Sequence, residues 1–401
     1  MLRVLTLSTL FPDRSRPNFG VFVERQTLGL AAAPGVVVKV VAPIGLPPGP
    51  LALIQHGDKL TLPLRETWRG LDVHRPRFTA VPGVGGRWHA HHLLRALEPV
   101  LDAIRDGFAF DVIDASFFFP DGPAAVALGA RYGVPVSIKA RGADVHHWGA
   151  MGPTATQVVA AAHAADGLLA VSAAMRADMI ALGMPADAIR VHHTGVDLER
   201  FRPGDRDAAK AALGIAGATV LSLGALIPRK GHGLVLDAVA MLPGVTLLIA
   251  GEGPDRPKLL ARAEALGIGD RVRLLGAVSH DRLPELLGAA DVMALASTSE
   301  GLANAWLEAL ACGTPIVISA AGGAQEVVTS PAAGRIAMGD PRAFAHAIAD
   351  VLQQGADPLA VRATAARFTW GANTAGLVDH LSGLVTRGCR VVSQAAQASS
   401  G

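Results

Sequence analysis

Two carboxylates in the stretch STSEGLANAWLEALACGTP, residues 297–315, are set in a pattern that could do chemistry. Glu300 and Glu308 have seven residues between them, polar Ser and Thr ahead, and Ala, Leu, Cys and Gly behind. Asn304 is placed to cap a helix, because its side-chain oxygen can accept from the free amides of a first turn. Residues 305–311 then form the helix, stopped by Gly313 and Pro315. Glu300 falls on the preceding loop and Glu308 in the second turn, on the order of 10 Å apart. Between them the amides of Gly301, Leu302, Ala303 and Asn304 are expected to be exposed beside a helix N-terminus, whose partial positive charge suits a phosphate. The sequence thus offers a hydrogen-bond acceptor, an anion site and a second acceptor. A nucleotide sugar offers sugar hydroxyls, pyrophosphate and ribose hydroxyls, and carboxylates bind vicinal hydroxyls through strong charge-assisted bonds.

A pyrophosphate also needs fixed cations. In SLGALIPRKGHGLVLDA, residues 222–238, a strand ends near Leu226, a loop carries Arg229 and Lys230, and a helix follows. The cations would sit at the carboxyl end of a strand, where doubly wound sheets bind ligands. At ~4 Å and an effective dielectric near 20, each is worth roughly 4 kcal/mol of attraction to a phosphate charge. The leaving group gains negative charge in the transition state, so these contacts can serve rate as well as binding.

The elements needed to hold these residues are visible along the chain. Short β-rich runs at 3–9, 36–43, 111–115, 134–140, 167–172 and 189–195, and again at 219–226, 245–253, 272–278, 292–297 and 315–319, alternate with Ala/Leu-rich helical stretches. That alternation predicts parallel sheets covered on both faces. It pauses at HTGVDLERFRPGDRDAAK, residues 193–210, expected to join two doubly wound domains, and the proline-rich residues 43–50 are expected to be a loop. Of the 401 residues half are hydrophobic and 17% are charged, which is globular rather than disordered, and a net charge of +2 argues against nucleic-acid binding as the main work. Two distant cysteines, Cys312 and Cys389, make neither a disulfide framework nor a four-ligand zinc site, so a reducing cytosol is expected. The opening MLRVLTLSTLFPDRS breaks at Pro12, too soon for a signal peptide, and no apolar run is long enough for a spanning helix.

The second half resembles the retaining glycosyltransferases of family 4, with the GT-B fold. The resemblance rests on HTGVDLERFRP (193–203), PRKGH (228–232), LLIAGEGP (247–254), RVRLLGAVSHDRLPELLGAADV (271–292) and SEGLANAWLEALACGTPIV (299–317), in that order, the last holding the family's E-x7-E pattern. In the first half only FPDRSRPNFGVFVERQ (11–26) and KARGADVHH (139–147) are recognisable. The resemblance implies an α/β GT-B fold of two Rossmann-like domains facing each other across a cleft. Residues 1–195 would be the acceptor side and 196–366 the nucleotide-sugar domain. Residues 367–388, with FTW at 368–370, would be a helix crossing back, and 389–401 a disordered tail. It implies that Glu300 contacts the donor sugar at the reacting centre and Glu308 the ribose. Arg229 and Lys230 would hold the pyrophosphate, backbone near Val278 and the side chain of Leu283 would lie against the base, and Gly20 would let the first loop approach the phosphates. A sugar would move from a nucleotide-diphosphate sugar to a glycan or lipid-linked acceptor with retention, without metal or cofactor. The setting would be cell-surface or exopolysaccharide synthesis at the cytoplasmic face of the membrane.

The chain departs from the family at two places. Ala225 stands where many members have arginine, which would shift phosphate charge onto Arg229. Arg141 stands where many have histidine, leaving Arg141 and Asp144 as candidates for the cleft and acceptor side. Other classes compete: another GT-B enzyme such as a nucleotide-sugar epimerase, or a non-catalytic or NAD-binding protein of the same fold. For the acids alone, the plain alternative is a loop acid and a surface acid; a glycosidase pair would need chemistry on both sides of one bond. GEGPDR, residues 251–256, lacks the third glycine of a dinucleotide loop. Asp205-Arg206-Asp207 reads better as a helix cap than as a metal site. The histidines 89, 91, 92, 146, 147, 192 and 193 lack a metal-binding spacing, and Cys312 reads as packing.

Residues 59–95 carry Lys59, Arg65, Arg69, Arg75, Arg77, Arg87 and Arg95 against Glu66 and Asp72, with Trp68 and Trp88 among them. Leu94, Leu97, Leu101 and Ile104 would form the core stripe of a helix after Gly86. The basic and aromatic remainder is a candidate for peripheral contact with anionic lipid, with a solvated basic face as the rival reading.

Overall fold

The computed structural model describes residues 1–49, 57–81 and 86–398, with side chains to residue 388. The chain divides into two compact units, Met1–His193 with Trp370–Gly401, and Thr194–Thr369. In the first, the strands are β1 (Leu2–Leu7), β2 (Val36–Val41), β3 (Ile44–Leu46), β4 (Arg65–Trp68), β5 (Leu71–His74), β6 (Arg77–Thr79), β7 (Val112–Ala115), β8 (Val136–Ala140), β9 (Gly167–Ala170) and β10 (Ile189–Val191). Eight of them form one sheet in the order β10-β9-β8-β7-β1-β2-β5-β4, parallel except for β4 against β5. The second unit has β11 (Thr219–Leu223), β12 (Thr246–Ala250), β13 (Val272–Gly276), β14 (Val292–Leu295), β15 (Ile316–Ser319) and β16 (Gly334–Ala337), all parallel, in the order β13-β12-β11-β14-β15-β16. Every residue of β7, β8, β9 and β14 is buried. Burial on both faces is why these runs are continuously apolar rather than alternating.

The core of the second unit joins Val220, Leu247, Ile249 and Val292 from the sheet to Val235, Leu236 and Val239 of the helix His232–Ala240 and Phe344, Ile348 and Val351 of Pro341–Gln354. In the first unit the helix Trp370–Ala398 lays Leu377, Leu381 and Leu384 on Val4, Val112 and Leu169. That i, i+4, i+7 spacing is one helical face, and each buried leucine is worth about 2 kcal/mol. The same helix approaches Val21–Ala32 so closely that a Cβ on Gly29 would lie 2.4 Å from Thr374 Oγ1.

Several expectations change. The proline-rich stretch holds β3, paired with β6 in a separate two-stranded ribbon, and its last residue lies outside the described set. The strands β3 to β6 and β16 were not expected from the sequence; β4 and β6, for example, keep exposed polar residues and lack the continuous apolar run of the buried strands. In the helix His89–Gly107 the buried stripe is Ala90, Leu93, Leu97, Leu101 and Ile104; Leu93 rather than Leu94 faces inward, one turn before Leu97. The C-terminal helix, expected to stop at 388, continues to Ala398, whose approach QAAQA is built of helix-favouring residues. Among the described residues no helix is long and apolar enough to cross a membrane.

Candidate functional site

In the second unit the chain leaves β11 toward β12 and β13, then returns to place β14 on the other flank of β11. The carboxyl ends of β11 and β14 therefore border the point where strand order reverses, the usual ligand crevice of such sheets. Arg229 and Lys230 lie in the turn Pro228–Lys230 after β11, and Glu300 lies in the loop after β14. Lys230 Nζ donates to Glu300 Oε1 at 2.5 Å, Arg229 Nη1 stands 3.7 Å from Glu300 Oε2, and Arg229 also donates to the Ser299 carbonyl at 2.6 Å. Glu300 is only 8% exposed. A carboxylate so far from water needs the two cations that face it.

The loops are stitched together by backbone. Thr298 N donates to the Arg229 carbonyl at 2.9 Å. Gly231, at φ 68°, begins the helix His232–Ala240, and a Cβ there would meet the Ala296 carbonyl oxygen at 2.1 Å. His232 accepts from Ser222 Oγ through Nδ1 at 2.8 Å and donates through Nε2 to the Ala225 carbonyl at 3.2 Å, and burial pulls its pKa down, so the neutral ring clamps the loop. The glycines of GEGPDR also have a structural use. A Cβ on Gly251 would lie 1.8 Å from the Gly224 carbonyl oxygen, and one on Gly253 2.3 Å from that of Leu226. They let two backbone segments cross rather than shape a dinucleotide loop.

The expected cap is shifted. Ala303 occupies the cap position of Asn304–Ala311 with extended dihedrals and no side-chain bond, and Asn304 is already helical, out of reach of the capping geometry. Gly301, Leu302 and Ala303 are buried rather than exposed, and Asn304 is half-buried. The cause is a brace: Gly323 N donates to the Gly301 carbonyl at 2.8 Å, and Gly322 packs where a Cβ would sit 2.2 Å from the Glu300 carbonyl oxygen. Trp306, Leu307 and Leu310 anchor the helix in the core, while Glu308 stays partly exposed.

Glu308 Oε1 is bonded by His280 Nε2 at 3.0 Å, and the His280 ring meets Phe201 edge-on at 5.3 Å. His280 belongs to the turn His280–Arg282 that follows β13. Val278 is half-buried just before that turn, and Leu283, 8% exposed, opens the helix Leu283–Ala289. Arg229, Lys230, Val278, Leu283, Glu300 and Glu308 thus all follow the carboxyl ends of strands in one sheet.

Gly20, Arg141 and Asp144 belong to the first unit. Gly20, at φ 71°, starts the helix Val21–Ala32, and a Cβ would lie 2.4 Å from the Leu10 carbonyl oxygen. Arg141 donates to the Ser116 carbonyl at 3.0 Å and to Gln26 Oε1 at 3.2 Å, and burial lowers its pKa to about 10, so it stays a cation at neutral pH. Asp144 accepts from the amides of Phe118, Arg141, Gly142 and Val145. Its carboxylate closes its own turn, and burial raises its pKa. Beneath them, fully buried Lys139 donates to Gln26 Oε1 at 2.9 Å and lies 2.6 Å from His192 Nδ1, whose ring donates to the Asn373 carbonyl of the C-terminal helix at 2.7 Å.

His280, the glycine pair 322 and 323, and the Lys139 network were not picked out from sequence. Position at a strand end was an available signal for His280; nothing local marks the others. Asp205 caps Arg206–Ala212 by accepting from Ala208 N at 2.9 Å. Buried Cys312 has its thiol pushed up to about 12 by burial, which suits packing. Among the described residues no three His, Cys, Asp or Glu gather as a metal site. The basic segment shrinks: Arg75 is 1% exposed and paired with Glu66 at 2.6 Å, Arg65 binds Asp72 at 2.8 Å, and Arg77 donates to the Leu60 and Leu62 carbonyls. Trp68 is bonded to Glu24. Trp88, half exposed with Arg87 over its ring at 5.0 Å, keeps a free face.

Comparison with known proteins bears on this geometry. Residues 205–368 match the model of the group 1 glycosyl transferases, and residues 21–200 that of glycosyltransferase family 4. D-inositol 3-phosphate glycosyltransferase of Mycolicibacterium vanbaalenii is 40% identical over 204 residues, 45% of this chain and 45% of the relative. Its Mycolicibacterium smegmatis counterpart is 41% identical over 194 residues, 45% of this chain and 44% of the relative. The chain spans less than half the length of these curated relatives. HepE of Anabaena, solved in complex with UDP, superposes with a TM-score of 0.74 at 20% identity, covering 96% of this chain and 100% of that one. Sucrose-phosphate synthase of Thermosynechococcus elongatus gives 0.74 at 22% identity, covering 99% and 100%. The fold is that of these GT-B structures.

Proposed function

Because the chain belongs to the glycosyltransferases of family 4, we propose that it transfers a glycosyl group from a nucleotide-diphosphate sugar to a hydroxyl acceptor with retention of configuration. The observation that carries this reading is the set of Arg229, Lys230 and Glu300 at the strand-order reversal of the second unit. Glu300 faces both cations and offsets part of their charge. An incoming pyrophosphate takes Arg229 and Lys230, and Glu300 is released to the donor sugar. The bond between the anomeric carbon and the phosphate oxygen breaks as the acceptor hydroxyl attacks the same face. The acceptor proton passes to the leaving phosphate, whose growing charge the cations stabilise. Glu308 holds the ribose, and Leu283 and the backbone at Val278 the base. Gly20 lets the first loop approach the phosphates, and Arg141 and Asp144 serve the acceptor side. No metal is required, since the two cations supply the charge.

The acceptor is a glycan, a lipid-linked intermediate or a polyol phosphate. The last enters because the curated relatives are named for inositol 3-phosphate. A role in cell-surface polysaccharide synthesis on the cytoplasmic face of the membrane fits such acceptors. The test is thermal unfolding with UDP, GDP, ADP, dTDP and NAD, with and without a divalent cation. A ligand at a hundred times its dissociation constant adds about 2.7 kcal/mol to the native state. A metal-independent shift with one nucleoside diphosphate is expected, and its sugar conjugate is then offered with an acceptor panel. A shift with NAD alone would overturn the donor reading.

A further inference from the structure

We propose that His280 is a positioning residue that orients Glu308 toward the ribose hydroxyls of the donor and ties ribose recognition to base recognition. The inference rests on the donor-site reading above and adds a residue to it. His280 Nε2 lies 3.0 Å from Glu308 Oε1, and a carboxylate is acceptor-only when ionised, so the imidazole is the donor. With Oε1 engaged, Oε2 has no hydrogen-bond partner among the described residues and Glu308 is partly exposed. One oxygen is therefore fixed from behind and the other is left for a ligand hydroxyl. A glutamate in the second turn of a helix would otherwise sample several rotamers, and ordering such a side chain on binding costs free energy.

The imidazole is itself fixed. Phe201 meets its ring edge-on at 5.3 Å. The turn His280–Arg282 is closed by Arg282 N on the Ser279 carbonyl at 3.0 Å, and Arg200 bonds Asp281 at 2.6 Å. Val278 and Leu283 lie two residues before the turn's first residue and directly after its last. The segment proposed to face the base thus carries the donor that aims the acid proposed to face the ribose. Removing the imidazole would free Glu308 without removing it. The loss should appear only for ligands that own the hydroxyls Glu308 binds.

The experiment measures dissociation constants of UDP, GDP and ADP, each beside its 2′-deoxy and 3′-deoxy form, for the wild-type chain, His280→Ala and His280→Gln. For the nucleotide that binds best, the wild type should prefer the ribose form over at least one deoxy form by roughly tenfold. His280→Ala should cut that preference to about twofold or less while binding the deoxy form as the wild type does. His280→Gln, whose amide can donate, should restore part of it. Equal weakening of ribose and deoxy forms in a variant of unchanged melting temperature, or an unchanged preference, would overturn the role of His280 alone. A wild type that binds none of the diphosphates would overturn the donor reading and the proposal with it.

Discussion

The two units share a construction but treat it differently. In each, a strand leads through a loop ending in a glycine in the left-handed region and into a helix: β1 to Gly20 to Val21–Ala32, and β11 to Gly231 to His232–Ala240. In both sheets strand order reverses beside that first strand, between β1 and β7 and between β11 and β14. In the second unit the two loops meet through charge, Lys230 and Arg229 on Glu300. In the first they meet through a buried acid, Asp121, which accepts from Thr9 N at 2.8 Å and whose pKa burial raises to about 7. Phe117, Phe118 and Phe119 pack in the loop leading to it. One pair of loops meets through an ion pair, the other through a buried carboxyl beside packed aromatic side chains.

The largest expected effect breaks the charged crevice. Glu300→Ala should lower transfer at least about a hundredfold, in the range seen when one group that stabilises transition-state charge is lost. Glu300→Gln should do nearly as much to transfer, yet bind the product nucleoside diphosphate about tenfold tighter, or 1.4 kcal/mol. The diphosphate has no sugar for Glu300 to contact, and the variant no longer holds Lys230 and Arg229 in an internal pair. Titration calorimetry with the diphosphate checks this; weaker binding would show that the pair orders the site rather than competing with phosphate.

A second pair of substitutions sharpens the comparison. Gly231→Ala and Gly20→Ala both force a side chain into the left-handed region and against a carbonyl, at 2.1 and 2.4 Å. Each should cost about 2–4 kcal/mol in denaturant unfolding. The carbonyls differ in origin: Ala296 follows β14 across the reversal, whereas Leu10 lies in Gly20's own loop. Gly231→Ala should therefore also move Lys230 from Glu300 and weaken diphosphate binding. Gly20→Ala should spare it if the glycine serves only its loop. A loss there, in protein shown to be folded, would support the approach to phosphate that the family resemblance implies.

This contrast also explains what could be read in advance. The E-x7-E spacing, the RKG loop and the strand–helix alternation are local patterns, and the structure sets them at the strand ends where they were expected. The Lys230–Glu300 contact was not itself predicted, because it joins residues 70 positions apart. The Gly322 brace and the bond from His280 to Glu308, 28 positions apart, depend on sheet order, which no short window encodes. The exposure of residues 301–303 was misjudged for the same reason. In the first unit the polar row Thr6, Asp114 and Ser137 lies side by side across β1, β7 and β8. In sequence each looks like an isolated polar residue in an apolar strand.

That buried row predicts a moderate pH effect. His380, on the C-terminal helix, is hydrogen-bonded to Ser137 Oγ at 3.0 Å, and burial lowers its pKa to about 4. The unfolded chain takes up a proton near pH 6.5 that the folded chain refuses until about pH 4. The contribution is therefore complete above pH 6.5 and lost as pH falls toward 4, by about 2 kcal/mol at pH 5. Asp114 and Asp121, raised to about 6 and about 7, act in the opposite sense, gaining stability over the same fall. The wild-type profile sums these, so the readout is a difference. His380→Gln should lose less stability than the wild type between pH 7 and 5 in urea unfolding, and parallel profiles would remove His380 from the account.

The smallest expected effect concerns the surface around Arg87 and Trp88 in the first unit. With Arg65, Arg75 and Arg77 committed to internal partners, the seven cations of residues 59–95 no longer make a continuous basic surface. Arg87 and Trp88 remain, the guanidinium 5.0 Å above an indole that is half exposed. An arginine near an anionic surface is worth about 1 kcal/mol, so vesicles rich in phosphatidylglycerol should bind the chain weakly, and Arg87→Ala should reduce that binding about fivefold at low salt. The effect should fade at physiological salt, because the Debye length falls to about 8 Å. Equal sedimentation of wild type and Arg87→Ala/Trp88→Ala with the vesicles would make this a solvated face. The contrast between the units would then lie wholly at the two strand-order reversals.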